Sequence, residues 1–240
     1  MFQADMPGLS VAVFHKNKLV WSEGMGYANK ELKVPASPDT KFRVGGVSKL
    51  FVGALVARLV EAGQVNLTSP IHEYDTELPK DKGPLNFVQL FSHSSGLRAP
   101  TYQEENYQGY YTIRKGIEVF INDSLLFHPG EYVNESNYNY DLLGAVLEAK
   151  TGKSFQEILK ENLTDTMHLA TTATDSPIAL IDNRSQCYDR SIVARTIRSF
   201  SVDNRHRAAS VGLLSFLFPL SSNHFHSWKA LTKMRQRLLV

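Results

Sequence analysis

The apolar pattern of this chain changes period once, and it does so early. Leu9-Ser-Val-Ala-Val-Phe14 and Leu19-Val-Trp-Ser-Glu-Gly24 are β-rich runs on either side of the polar break His15-Lys-Asn-Lys18, a spacing that predicts a hairpin. From residue 47 to 62 the apolar positions Leu50, Phe51, Ala54, Leu55 and Leu59 instead recur at steps of three and four. Gly63 stands at the C-cap position of that helix, with Ser48 and Lys49 in its first turn. A two-stranded hairpin is marginal alone in water, so its edge and apolar face need the helices, another chain or the segment 216–240. The order β-β and then α predicts an α/β (α+β) fold.

The rest of the chain follows the helical pattern with interruptions. Residues 25–41 are polar, carry Pro35 and Pro38, and are expected to form an irregular connection. Between 66 and 129, Pro70, Pro79, Pro84 and Pro100 separate short apolar helices at 86–92 and 117–122, a loop-rich helical insert. Asp141-Leu-Leu-Gly-Ala-Val-Leu-Glu-Ala-Lys150 predicts a second long helix stopping at Thr151-Gly152, and 154–163 a third behind a Ser cap. From Thr171 the pattern weakens, and the stretch from Phe216 onward is apolar without a clean period. With no repeat, low-complexity tract or linker, residues 1–240 are expected to form a single domain.

Composition narrows the function classes. Of 240 residues, 42% are hydrophobic and 21% charged, a balance that suits a folded domain rather than a disordered one. Lys and Arg number 26 against 24 Asp and Glu, so the net charge of +2 leaves no nucleic-acid footprint. The single cysteine, Cys187, excludes an internal disulfide, and without a His or Cys cluster no metal and no cofactor is expected. No run approaches the ~18 apolar residues of a membrane span. The N-terminal residues lack a basic start and an apolar run, so the five Asn-x-Ser/Thr sequons (Asn66, Asn122, Asn134, Asn162 and Asn183) carry little weight as glycosylation sites.

The chemistry-bearing segment is Phe42-Arg-Val-Gly-Gly-Val-Ser-Lys49, at the mouth of a helix that follows a β-hairpin. It resembles the Ser-x-x-Lys segment of penicillin-binding proteins and serine β-lactamases, in which Ser attacks a carbonyl and Lys, one turn later, activates it. Counting back from Lys49, the nucleophile position is Gly46, which cannot be acylated. The resemblance continues in family order through Pro7-Gly-Leu-Ser-Val-Ala-Val, Trp21-Ser-Glu-Gly-Met-Gly-Tyr-Ala, Leu90-Phe-Ser-His-Ser-Ser-Gly-Leu-Arg98, Pro129-Gly-Glu and Asp141-Leu-Leu-Gly144. Val202-Asp-Asn204 and Gly212-Leu-Leu-Ser215 extend it, so it covers residues 7–215 and leaves 216–240 as a diverged tail. The family's Tyr-x-Asn motif then falls on Glu135-Ser136-Asn137, where only the Asn matches.

The resemblance implies a β-lactamase/transpeptidase-like fold: an antiparallel sheet flanked by helices, with a helical insert and the site between them. It implies that Lys49 and Asn137 keep their family roles, holding substrate and moving protons. Gly46 and Glu135 do not, because one lacks a side chain and the other would pair with Lys49 and favour its charged form. The family's third motif, Lys-Thr-Gly or His-x-Gly on a strand, should follow Ser215; the chain stops first and is expected to be truncated at its C-terminal strands, by truncation or alternative splicing. Lys150-Thr151-Gly152 has the letters but sits at a helix stop, and Lys153-Ser154 mimics a phosphate loop without its glycine. His93 is implied to be structural, Tyr138 and Tyr140 to be packing residues. Ser48 and Ser94 are candidate substitute nucleophiles of low weight, and His206, His224 and His226 do not add up to a metal site.

The expected function is accordingly a β-lactamase-related serine hydrolase or peptidase-like protein, impaired at its nucleophile. The alternatives are a pseudoenzyme that binds a ligand or self-assembles, and a non-functional fragment. A small acyl or peptide-like ligand and, by family analogy, a homo-oligomer are the partners in view; nucleic acid is not. Resemblance allows a mitochondrial location, and the lone cysteine is equally compatible with the cytosol.

Overall fold

The computed structural model describes residues 6–16, 18–101, 103–104, 112–169, 171–175, 180–191, 196–200 and 217–218. Strands β1 (Gly8–His15) and β2 (Lys18–Asn29) form the expected antiparallel hairpin, pairing Leu9 with Met25, Val11 with Glu23 and Val13 with Trp21. The register shifts between Val13 and Phe14, a bulge beside the turn that increases local twist. Gly24 is required by close approach: a Cβ there would lie 2.3 Å from the Ser37 nitrogen.

Residues 25–41 are more regular than their composition predicts. β2 runs on to Asn29, and β3 (Val34–Pro35) returns along it, so the hairpin is a three-stranded sheet in the order β1-β2-β3. Proline is tolerated there because β3 lies at the sheet edge. β4 (Phe42–Arg43) pairs with β7 (Leu217–Phe218), and β5 (Cys187–Ser191) with β6 (Thr196–Phe200), each as an antiparallel two-stranded sheet. The weak pattern after Thr171 therefore concealed a hairpin.

Backbone bonds from residues 183–186 stitch this region to the N-terminal sheet. Gln186 N–H donates to Ala28 O at 2.8 Å, Ser185 N–H to Lys41 O at 3.0 Å and Lys41 N–H to Asn183 O at 2.8 Å. Side chains reinforce the seam. Arg43 donates to Asp175 and to the Cys187 Sγ, and Arg184 donates to the second Asp175 oxygen at 3.1 Å. Asp175 is almost fully buried, so its charge needs both guanidinium partners.

Two long helices form the core. α1 (Ser48–Glu61) buries Phe51, Val52, Leu55, Val56 and Leu59, and ends in a Schellman turn in which Gln64 N–H reaches Leu59 O at 2.8 Å around Gly63, φ +69°. α4 (Tyr138–Thr151) buries every residue from Tyr138 to Leu147, as a helix enclosed on all sides must. Between them come α2 (Phe87–Phe91), with an Asn86/Gln89 capping box, and α3 (Ile113–Ile117), which starts four residues before the expected 117–122 segment because Thr112 caps it. α5 (Phe155–Leu159) follows a Ser154/Glu157 capping box and runs into a π-turn over Lys160–Thr164. Each enclosed Leu, Ile, Val or Phe contributes roughly 1.5–3 kcal/mol. No helix among the described residues is long and apolar enough to cross a membrane.

Candidate active site

The site is built where β4 hands the chain to α1. A 3-10 turn at Gly45–Val47 leads straight into α1, with Gly45 at φ +52°. Gly46 is exposed, and a Cβ built on it meets no heavy atom of the described residues within 4 Å. Lys49, one turn further, donates to Glu135 Oε1 at 3.0 Å and lies 5.3 Å from the centre of the Tyr140 ring. Lys49 and Glu135 therefore meet, with Gly46 one helical turn before Lys49 in the chain. Asn137 is the residue immediately before α4, and its side chain makes no capping hydrogen bond.

A buried polar network fixes the 134–137 segment that carries Glu135. His93 adopts φ +57° at the turn after α2, and its Nδ1 accepts from Ser136 N–H at 3.2 Å and from the Asn139 amide at 3.1 Å. That places the neutral ring's proton on Nε2. Asn139 also donates to Ser136 O at 3.1 Å and accepts from Ser95 Oγ, while Ser136 Oγ donates to Arg98 O. Asn134 completes the hold, donating to Leu97 O at 3.2 Å and from its backbone to His93 O at 2.9 Å.

Arg98 clamps the outer side of this network. It is bidentate to Glu104 at 2.8 and 2.8 Å, donates to Asp123 at 2.6 Å and lies 5.3 Å from the centre of the Tyr138 ring, which stacks on Phe120 at 3.9 Å. The Arg98 hydrogen bonds hold the Glu104 carboxyl well below its ordinary range, down to about 2. A depressed folded-state value stabilises the fold above the ordinary carboxyl pKa, and that stabilisation is lost as pH falls from about 4.5 towards 2. Glu104→Gln should therefore lower the melting temperature at pH 7 but flatten its decline on acidification, the two proteins converging near pH 2. Parallel melting curves over the whole range would contradict this.

The electrostatics of the site centre on one ion pair. The Lys49 side chain is 18% exposed and that of Glu135 80%, so the carboxylate reaches inward from solvent. Hydrogen bonding and charge from Lys49 lower the Glu135 pKa. Burial, then the Lys49 charge, lowers that of His93, keeping the ring neutral at neutral pH. Burial, then the Glu135 charge, raises the Tyr140 phenol to about 12. Lys49 is the donor in this ion pair, and Glu135 is its carboxylate partner.

Other candidates fall elsewhere. Ser48 is wholly buried, its Oγ without a hydrogen-bond partner among the described residues, so it presents no nucleophile to solvent. Ser94 pairs with Ser92 Oγ at 2.8 Å in the turn after α2. Tyr138 and Tyr140 are buried as packing residues, but Tyr140 also forms the surface beneath Lys49, a role that its position gave no sign of. Lys150-Thr151-Gly152 is a helix stop, with Gly152 at φ +66° and Thr151 Oγ1 donating to Leu147 O at 2.8 Å. Val202–Asn204, His206, Gly212–Ser215, His224 and His226 lie outside the described residues.

Comparison with known proteins places this geometry. A model of the beta-lactamase family matches residues 1–215. The human mitochondrial serine beta-lactamase-like protein LACTB is 26% identical, the match covering 89% of this chain and 52% of that protein. The chain thus spans about half the length of the curated relatives of this type that it matches. Among solved structures, an octameric penicillin-binding protein homologue from Pyrococcus abyssi superposes with a TM-score of 0.77 at 20% identity, covering 92% of this chain and 51% of that one. A class C beta-lactamase in complex with cefoxitin gives 0.75 at 20% identity, covering 98% and 64%.

Proposed function

The chain belongs to the beta-lactamase family, and from that premise we propose that it is a serine-hydrolase relative whose own site binds acyl compounds without being acylated by them. The family reaction requires a nucleophile that adds to a carbonyl, leaves an acyl-enzyme and is freed by water. The observation that carries the proposal is the glycine at position 46, with open space among the described residues where a side chain would stand. The Lys49–Glu135 pair supports it, since it engages the lysine that the nucleophile would need. Loss of a nucleophile costs on the order of 10⁶ in turnover, which leaves no useful hydrolysis by this route.

The test is intact-mass analysis after incubation with a fluorophosphonate and with a penicillin. The natural chain should gain no stoichiometric adduct from either reagent, and an adduct mapped to any residue would overturn the proposal. Self-association is a second reading, supported by an octameric homologue that shares the fold. A size measurement separates it from a purely monomeric binding protein.

A further inference from the structure

We propose that Lys49 is a binding point for the carboxylate of a small acyl acid, and that Glu135 is a built-in competitor occupying it in the free chain. The inference rests on the reading that this site binds acyl compounds without being acylated by them.

The contact between the two residues is itself a carboxylate bound at the lysine. Glu135 Oε1 accepts from the ammonium at 3.0 Å, and the ammonium is held over the Tyr140 ring. The two partners are unequally anchored. Lys49 is largely enclosed, whereas Glu135 is 80% exposed and its side chain has no other hydrogen bond among the described residues. Glu135 can therefore swing out into solvent while the ammonium stays in place. Gly46, three residues before Lys49, leaves open space among the described residues, and Val47 and Leu50 next to it in the chain are exposed apolar residues.

Among the described residues, the titratable groups acting on the pair are His93 and Tyr140, both neutral near pH 7, so the lysine is the cation there that selects the ligand. A carboxylate can replace Glu135 there; the amide of the same acid cannot. The preferred ligand is then the acid that ester or amide hydrolysis releases, so the chain would sense the product of the reaction its relatives perform.

Sodium butyrate titrated into the ¹⁵N-labelled full chain tests this, with butyramide as the uncharged control. Amide shifts should centre on 46–50 and 135–137. Glu135→Gln should bind butyrate about five-fold more tightly than the natural chain, the scale of releasing a largely exposed ion pair. Lys49→Met, with its amide spectrum otherwise unchanged, should lose the shifts, and butyramide should produce none. Equal affinity in the natural chain and Glu135→Gln, or shifts that persist in Lys49→Met, would overturn the inference. Because acylation is read separately by mass, absent butyrate binding in an unlabelled chain would remove this inference and leave the missing nucleophile standing.

Discussion

Gly46→Ser combined with Glu135→Tyr should turn a chain that takes no acyl label into one labelled stoichiometrically by a fluorophosphonate. The serine side chain has room among the described residues, since a Cβ at position 46 meets none of their atoms within 4 Å, and the backbone there is not in the left-handed region that would strain it. The hydroxyl alone is insufficient, because Lys49 is tied to Glu135. The single change Gly46→Ser should therefore label about 10²–10⁴-fold more slowly than the double variant, the range that a positioned general base contributes. Second-order labelling rates for the natural chain and the single and double variants decide it. Equal rates in the single and double variants would show that Glu135 does not impede Lys49; no label on either would show that more than these two positions is lost.

Asn139→Leu should cost about 3 kcal/mol or more in the free energy of unfolding, read from a urea midpoint at unchanged slope. Asn139 is wholly buried and its side chain joins three groups: it accepts from Ser95 and donates to His93 Nδ1 and Ser136 O, and Ser136 N–H also goes to His93. Leucine nearly preserves the volume and removes every one of Asn139's side-chain bonds. Each of the three lost buried hydrogen bonds is worth about 0.5–1.5 kcal/mol, and because they form one network the losses do not simply add. A change below 1 kcal/mol would mean that the segment carrying Glu135 is held in some other way.

The sequence made the framework legible where the signals were local. The long helices α1 and α4 were marked by period and by glycine stops, α2 by its apolar run between prolines and α5 by its Ser154 cap. The hairpin was marked by alternation. The pairing of Glu135 with Lys49 was legible as well, because Pro129-Gly130 and Leu142-Leu143-Gly144 index Glu135 by counting. What escaped was non-local. β3 and β4 are two residues each, too short for any period, and β5 lies in a stretch that alternates poorly. Nothing local distinguishes Asn139 from an ordinary helix asparagine, or assigns Asp175 to Arg43 and Arg184. Such bonds are chosen by the approach of distant segments.

That distance also governs the order in which the molecule can assemble. Gln186 joins Ala28, Asn183 and Ser185 join Lys41, and Asp175 and Cys187 join Arg43, the residue three before Gly46. These closures span 132 to 158 positions, from Arg43–Asp175 at the short end to Lys30–Tyr188 at the long end. α1 and the caps of the short helices need only their own neighbours and can form as soon as they leave the ribosome. The strand that delivers Gly46 must wait until synthesis has passed residue 187, and at ~5–20 residues per second that leaves the N-terminal sheet without its seam for roughly ten seconds or more. Non-local pairings of this kind slow folding and prolong the exposure of unpaired strand edges. The first hairpin is therefore the element that waits longest for its distant partners, and its edge stays open until residues 183–188 have been made.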